Sequence, residues 1–172
     1  MMLSFNNYIL GETEELLLCT DPEEHQAILH SLIRQTTRQL DILTYDFDPS
    51  FYDNEESFEL FEELALNGGR HLKIRILIQE PQQVALRGHR LLKLGRRLSS
   101  VFSMRRPAET HRTFPETFLI ADINGFWHRP YRDSFKAFSN FYDGINTREL
   151  HKTFEMLWNE SEDDPYLRTF VL

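Results

Sequence analysis

Cysteine is almost absent from this 172-residue chain: Cys19 stands alone, which excludes an internal disulfide framework and any zinc site built on cysteines. No base partner is visible for it, so it reads as a small core hydrophobe at a strand end. Glycine is scarce too, at seven residues, and "LNGGRHLK" and "RGHRLLKLGRR" match neither a Walker loop nor a dinucleotide-binding pattern. No Gly-rich strand-to-helix loop offers a pyrophosphate cradle, so no cofactor is expected. Long apolar runs are missing, which leaves no candidate membrane span. The opening "MMLSFNNYIL" lacks the basic start and cleavage site of a signal peptide. A cytoplasmic protein without a membrane partner is the expectation. There is no repeat, low-complexity tract or Pro/Gly/Ser linker, so residues 1–172 are expected to form one domain.

What is present is a globular composition, 41% hydrophobic and 27% charged, with an uneven charge distribution. Residues 1–66 hold 15 Asp and Glu against Arg34 and Arg38 alone, whereas residues 70–112 hold 11 Lys and Arg against Glu80 and Glu109. The net charge of −8 disfavours non-specific nucleic-acid binding, while the basic segment leaves a local anion site open. The plainer expectation is that the two halves neutralise one another in the fold or across a dimer.

Strand and helix patterns alternate. "ELLLCT" is a short strand, and "TDPEEHQAILHSLIRQTTRQL" opens a helix with Thr20 or Asp21 as cap, Pro22 in the first turn and an Ile28, Leu32, Ile33 stripe. "DILTYDFDP" is a strand, "EESFELFEELALNGG" a second helix closed by Gly68-Gly69, and "HLKIRILIQEP" a central parallel strand. A third helix is expected over about Gln82 to Arg97, then a strand at "VFSM". "FLIAD" and "FWHRPY" flank Asn124-Gly125, a strong hairpin signal. "TRELHKTFEMLWNES" is a last helix in which Phe154 and Trp158 read as core, and "LRTFVL" an edge strand. The expected fold is α/β, a mixed but mostly parallel sheet with helices on both faces and a late β-hairpin.

Asp46 and Asp48 fall two apart at a strand end, a position suited to acid–base or metal work because open α/β sheets bind ligands there. The alternative is that one caps the next loop and pairs with an arginine. Arg87, His89 and Arg90 open the helix after "QEP" and are the better anion-holding candidates in the basic stretch. The seven histidines show no paired spacing on one helix face with a third ligand, so no metal site is expected.

The order of these elements, with "LDILTYDFDP", "LKIRILIQEP", "FLIADINGFW" and "ELHKTFEMLWNES" at their places, resembles one half of the phospholipase D superfamily. More narrowly, "YDFDP" with Tyr52, "RGHRLLKLGRRL", "HRP", "NF", "LWNES" and "LRTFVL" resemble an uncharacterised proteobacterial phospholipase-D-like domain, sometimes fused behind an acyltransferase of the GNAT type. Active members of that superfamily carry His-x-Lys-x-x-x-x-Asp, with histidine as the covalent nucleophile and lysine on phosphate charge. Here Pro115 and Thr117 occupy the His and Lys positions, and only Asp122 matches. The Gly-Ser-x-Asn positions of the hairpin's second strand fall on "RPYR", residues 129–132.

The resemblance therefore implies a catalytically inactive binding or regulatory module. Its cleft would be lined by Asp46, Asp48, Arg87, His89, Arg90, Asp122, Arg129 and Asn140 and take a small anionic ligand. A homodimer and an acyltransferase partner are implied in the same way. Two other readings stay open: a hydrolase using Asp46, Asp48 and Glu80, and nucleic-acid binding through residues 87–106.

Overall fold

The computed structural model describes residues 4–168. Among them the chain runs β1 (Leu17–Cys19), α1 (Pro22–Gln35), β2 (Gln39–Thr44), α2 (Pro49–Tyr52), α3 (Glu55–Asn67), β3 (Lys73–Ile78), α4 (Pro81–Arg87), α5 (Arg90–Arg97), β4 (Phe102–Arg105), β5 (Thr117–Ala121), β6 (Gly125–Arg129), β7 (Ala137–Asn140) and α6 (Gly144–Asn159). The starts of the helices follow their sequences. Asp21 caps α1 by accepting from Glu23 N at 2.8 Å with Pro22 behind it, and Asn54 caps α3 by accepting from Ser57 N at 2.8 Å. The expected third helix is instead two, broken where Gly88 takes φ +65° and His89 caps α5. Of the expected strand "LRTFVL", residues 169–172 lie outside the described residues.

The strands form one sheet in the order β1-β7-β6-β5-β2-β3-β4. Helices cover both faces, as expected, but the sheet is mostly antiparallel rather than mostly parallel. Only β2–β3 and β3–β4 run parallel. The hairpin strand β5 inserts beside β2 instead of extending the parallel half, and the unforeseen β7 and the edge strand β1 continue antiparallel from it.

Alternation along the central strands divides the apolar residues between two layers. Leu40, Ile42, Ile74, Ile76, Leu119 and Ala121 face α1, α3 and α5, while Leu43, Leu77, Phe118 and Ile120 face Leu150, Phe154 and Leu157 of α6. Each fully buried Leu, Ile or Phe among them contributes about 1.5–3 kcal/mol. Cys19 lies in the first layer, where burial pushes its thiol up to about 12, as its reading as a core hydrophobe requires.

The hairpin holds a further correction. Its left-handed residues are Asp122 (φ 54°) and Ile123 (φ 57°), and Gly125 already pairs with Ala121 inside the ladder. Gly125 is there for close approach: a Cβ would stand 2.7 Å from Leu10 Cδ1 and 2.9 Å from the Asn140 carbonyl oxygen.

Candidate functional site

Because β5 runs antiparallel to β2, its first residue arrives at the carboxyl end of β2, where the Thr117 hydroxyl donates to the Leu43 carbonyl at 2.8 Å. The exit of β6 lies beside it through the Thr117–Arg129 pairing. A cavity of about 230 Å³ opens here, lined by Thr44, Tyr45, Asp46, Asp48, Thr117, Arg129, Arg132 and Asp133. Of the expected cleft residues it gathers Asp46, Asp48 and Arg129.

Each of these already has a partner. Asp46 accepts from Arg87 Nη1 at 3.0 Å, which places Arg87 at the rim. Asp48 caps α2, accepting from Ser50 N at 3.0 Å and Ser50 Oγ at 2.7 Å, with Arg129 Nη1 at 3.9 Å from its other oxygen. These two carboxylates thus cap a loop and pair with arginines. Arg129 donates to the Ser134 and Arg132 carbonyls and stacks over Phe135, which fixes the 130–136 loop.

The residue that the sequence reading missed is Arg132, at the end of "RPYR". Its guanidinium carbon sits 4.0 Å from the Tyr45 ring centroid, and its Nη1 is buried without a hydrogen-bond partner. The signal was available in its place at the hairpin exit, where the resembled superfamily keeps polar groups.

Four expected cleft residues lie elsewhere. Asp122 is at the opposite end of β5, roughly 16 Å along the strand from Thr117. Its carboxylate accepts from Thr37 N (2.9 Å), Thr37 Oγ1 (3.0 Å), Arg38 N (2.7 Å) and Gln39 N (2.9 Å). Asn140 shares that far end through its pairing with Phe126 and accepts from Glu15 N and Tyr142 N. His89 is fully buried, stacked on Phe47 and donating from Nε2 to the Phe47 carbonyl at 2.8 Å. Arg90 donates to Asp53 and belongs to a groove beside Phe58 and Leu94. These misplacements share a cause: strand-end position is legible in sequence, whereas which end, and which way a cap turns, depends on pairing partners far along the chain.

His25, His30 and His89 are all buried, and burial lowers the pKa of each. His25 Nδ1 accepts from the Trp127 indole at 3.0 Å and His89 Nδ1 accepts from Leu91 N, so protonation would break both contacts. A histidine whose folded pKa is depressed leaves stability intact above its unfolded value and removes it as pH falls below. Stability is therefore expected to decline below about pH 6.5, by up to about 1.4 kcal/mol per pH unit for each histidine. Urea midpoints at about pH 7.5 and 5.5 check this, and equal midpoints would refute it.

The basic segment meets acids on many sides: Arg87 with Asp46, Arg97 with Glu62, Arg105 with Asp163, and Arg106 with Glu109, Glu162 and Asp164. Glu80 lines a different cavity and faces Arg112, and among the described residues no three His, Cys, Asp or Glu converge as a metal site. His111 pairs with Glu160 and His128 with Glu116, and neither lines the cleft.

The fold has solved counterparts. An archaeal chromatin protein, TrmBL2, described as showing a novel mode of DNA binding, superposes with TM-score 0.64 at 10% identity. The match covers 88% of this chain and 54% of that one, so this chain spans about half of TrmBL2's length. Nuc from Salmonella typhimurium, a phospholipase D family member, superposes with TM-score 0.59 at 13% identity over 87% of this chain and 97% of that one. NucT from Helicobacter pylori gives 0.57 at 11% identity over 87% and 99%. The fold is thus phospholipase-D-like. No curated protein matches the sequence. Residues 21–170 match the model of DUF7931, a domain of unknown function, and the chain belongs to that family.

Proposed function

We propose that this chain is a phospholipase-D-like domain without phosphodiester chemistry, acting as a binding or regulatory module whose cleft takes a small anion. One observation carries the reading: the positions that in the resembled superfamily hold nucleophile and charge clamp are Pro115 and Thr117, and the Thr117 hydroxyl is committed to a backbone carbonyl. Proline offers no lone pair for attack on phosphorus, and threonine offers no positive charge to the developing transition state. Arg132, with a buried Nη1 lacking a partner, supports retention of an anion without its cleavage.

The hydrolase reading loses support because Asp46 and Asp48 are engaged and Glu80 lies in another cavity. Nucleic-acid binding through residues 87–106 loses support because most of those arginines face carboxylates. The resemblance also directs the module to an acyltransferase partner and to a homodimer. Light scattering at twice the 20.5 kDa chain mass checks the dimer.

The test is an assay of the full chain on bis(p-nitrophenyl) phosphate and plasmid DNA, beside a thermal-shift titration with inorganic phosphate. Expected are no turnover above buffer, and a phosphate-induced rise in Tm that Arg132→Ala removes. Turnover lost in Arg132→Ala but kept in the exposed-site control Lys152→Ala would overturn the reading.

A further inference from the structure

A second cavity, of about 170 Å³, lies at the carboxyl ends of the parallel strands β3 and β4 and shares no lining residue with the cleft. Ligands of open α/β sheets occupy this position because the loops that follow adjacent parallel strands diverge there. Gln79 and Glu80 follow β3, and Arg106 follows β4. Arg112 leaves the 3₁₀ turn Glu109–His111, while Asp164 and Tyr166 come from the segment after α6. The walls are tied together: Arg106 and Glu162 exchange both backbone hydrogen bonds, at 3.0 and 2.8 Å.

Gln79 is 2% exposed. Its Nε2 donates to the carbonyls of His111 (3.3 Å), Arg112 (3.2 Å) and Phe114 (2.9 Å). Three carbonyls around one atom identify it as the amide nitrogen, so Oε1 is the acceptor, and it is buried without a protein partner.

The charges around it are matched incompletely. Arg106 uses all three nitrogens, on Asp164, Glu109 and Glu162. Arg112, more than half exposed, uses Nε on Glu80 at 3.5 Å and Nη1 on Glu109 at 3.4 Å, leaving Nη2. Glu80 has one oxygen at that 3.5 Å contact and a second without a hydrogen-bond or ion-pair partner among the described residues. What remains is a buried neutral acceptor, a carboxylate oxygen on the adjacent residue, and one guanidinium edge. A bare anion would meet Glu80, Glu109 and Asp164, and a bare cation would meet Arg106 and Arg112. A molecule carrying both charges a few bonds apart satisfies the set.

We propose that this cavity binds a small zwitterion, a free α-amino acid, with its ammonium on Gln79 Oε1 and Glu80 and its carboxylate on Arg112. Nothing in this assignment depends on the cleft around Arg132, so either can fail alone. The test titrates the full chain with each of the twenty free L-amino acids by calorimetry, with ethylamine and acetate as half-ligands. At least one amino acid is expected to bind, at least ~10-fold more tightly than either half-ligand. Glu80→Gln and Arg112→Gln should each weaken it by ~10-fold or more, while Arg132→Ala leaves it unchanged. Because Gln79 anchors three carbonyls, its role is read without mutation, from a shift of its side-chain amide NMR signals on binding. No heat from any of the twenty, equal binding of a half-ligand, or binding that survives both variants would overturn the proposal.

Discussion

Asp122→Ala is expected to lower the unfolding free energy by about 2–4 kcal/mol, out of the 5–15 typical of a domain this size, without touching the cleft. The carboxylate accepts four hydrogen bonds, three of them from consecutive backbone N–H groups of residues 37–39. Those groups join the end of α1 to the start of β2, and the Asp122 N–H returns the contact by donating to the Gln39 carbonyl at 2.8 Å. Alanine leaves donors without a partner and keeps the left-handed backbone at 122 and 123, where a β-branched Ile123 is already strained. Asp122→Asn should cost less, since an amide oxygen replaces part of the acceptor set. Urea denaturation measures both. Unchanged stability together with lost phosphate binding in Asp122→Ala would return this residue to the cleft and refute its structural role. The result bears on function. The one residue of the His-x-Lys-x-x-x-x-Asp pattern that this chain keeps is explained by the fold, so its presence is no argument for surviving chemistry.

Much of the architecture was legible because local rules agree with the tertiary outcome. The cap at Asp21, the stop at Gly68-Gly69 and the apolar runs of β2, β3 and β5 specify their own elements. The hairpin was legible as a pair of strands, but its turn lay two residues earlier than the Asn-Gly signal. Asp122 accepts a left-handed conformation in exchange for tertiary hydrogen bonds that no local reading contains. β7 escaped because "AFSN" is four residues with no flanking alternation, and it is a strand only by lying between β1 and β6. In the same way Asp46 and Asp48 could be placed at a strand end, whereas their arginine partners come from 41 and 81 residues away. Arg132 was legible in its place but not in its role, and Gln79 in neither, for a related reason: each matters through an atom left without a partner, a property of packing that composition does not carry.

A buried ion pair was also out of reach from sequence, and it carries the larger prediction: Arg75→Met is expected to destabilise the domain by about 3–5 kcal/mol. Asp41 and Arg75 stand opposite one another on the parallel strands β2 and β3, beneath α6. The Asp41 side chain is 1% exposed, and Arg75 holds it through Nε at 2.8 Å and Nη2 at 3.1 Å. Arg75 also donates to Glu155 of α6 and packs under the rings of Phe154 and Trp158, 4.9 and 5.3 Å from their centroids. One guanidinium thus joins the sheet to the helix that covers it. Burial raises the Asp41 pKa even with Arg75 beside it, so methionine, which keeps the apolar contacts, leaves a buried carboxylate with only the Gln39 amide as a hydrogen-bond donor among the described residues and His151 as a weaker charge partner. A carboxylate whose folded pKa is raised destabilises the fold at neutral pH, and that loss is relieved as pH falls and the folded state takes up the proton. The deficit of Arg75→Met relative to the native chain should therefore shrink between about pH 7 and pH 5. Asp41→Asn combined with Arg75→Met should recover most of the loss, because a neutral amide in place of the carboxylate removes the uncompensated charge. Denaturant midpoints for the native chain, the single variant and the double variant at both pH values decide it. A deficit independent of pH, or a double variant no better than the single one, would show that Arg75 acts by packing against α6 and not by compensating Asp41.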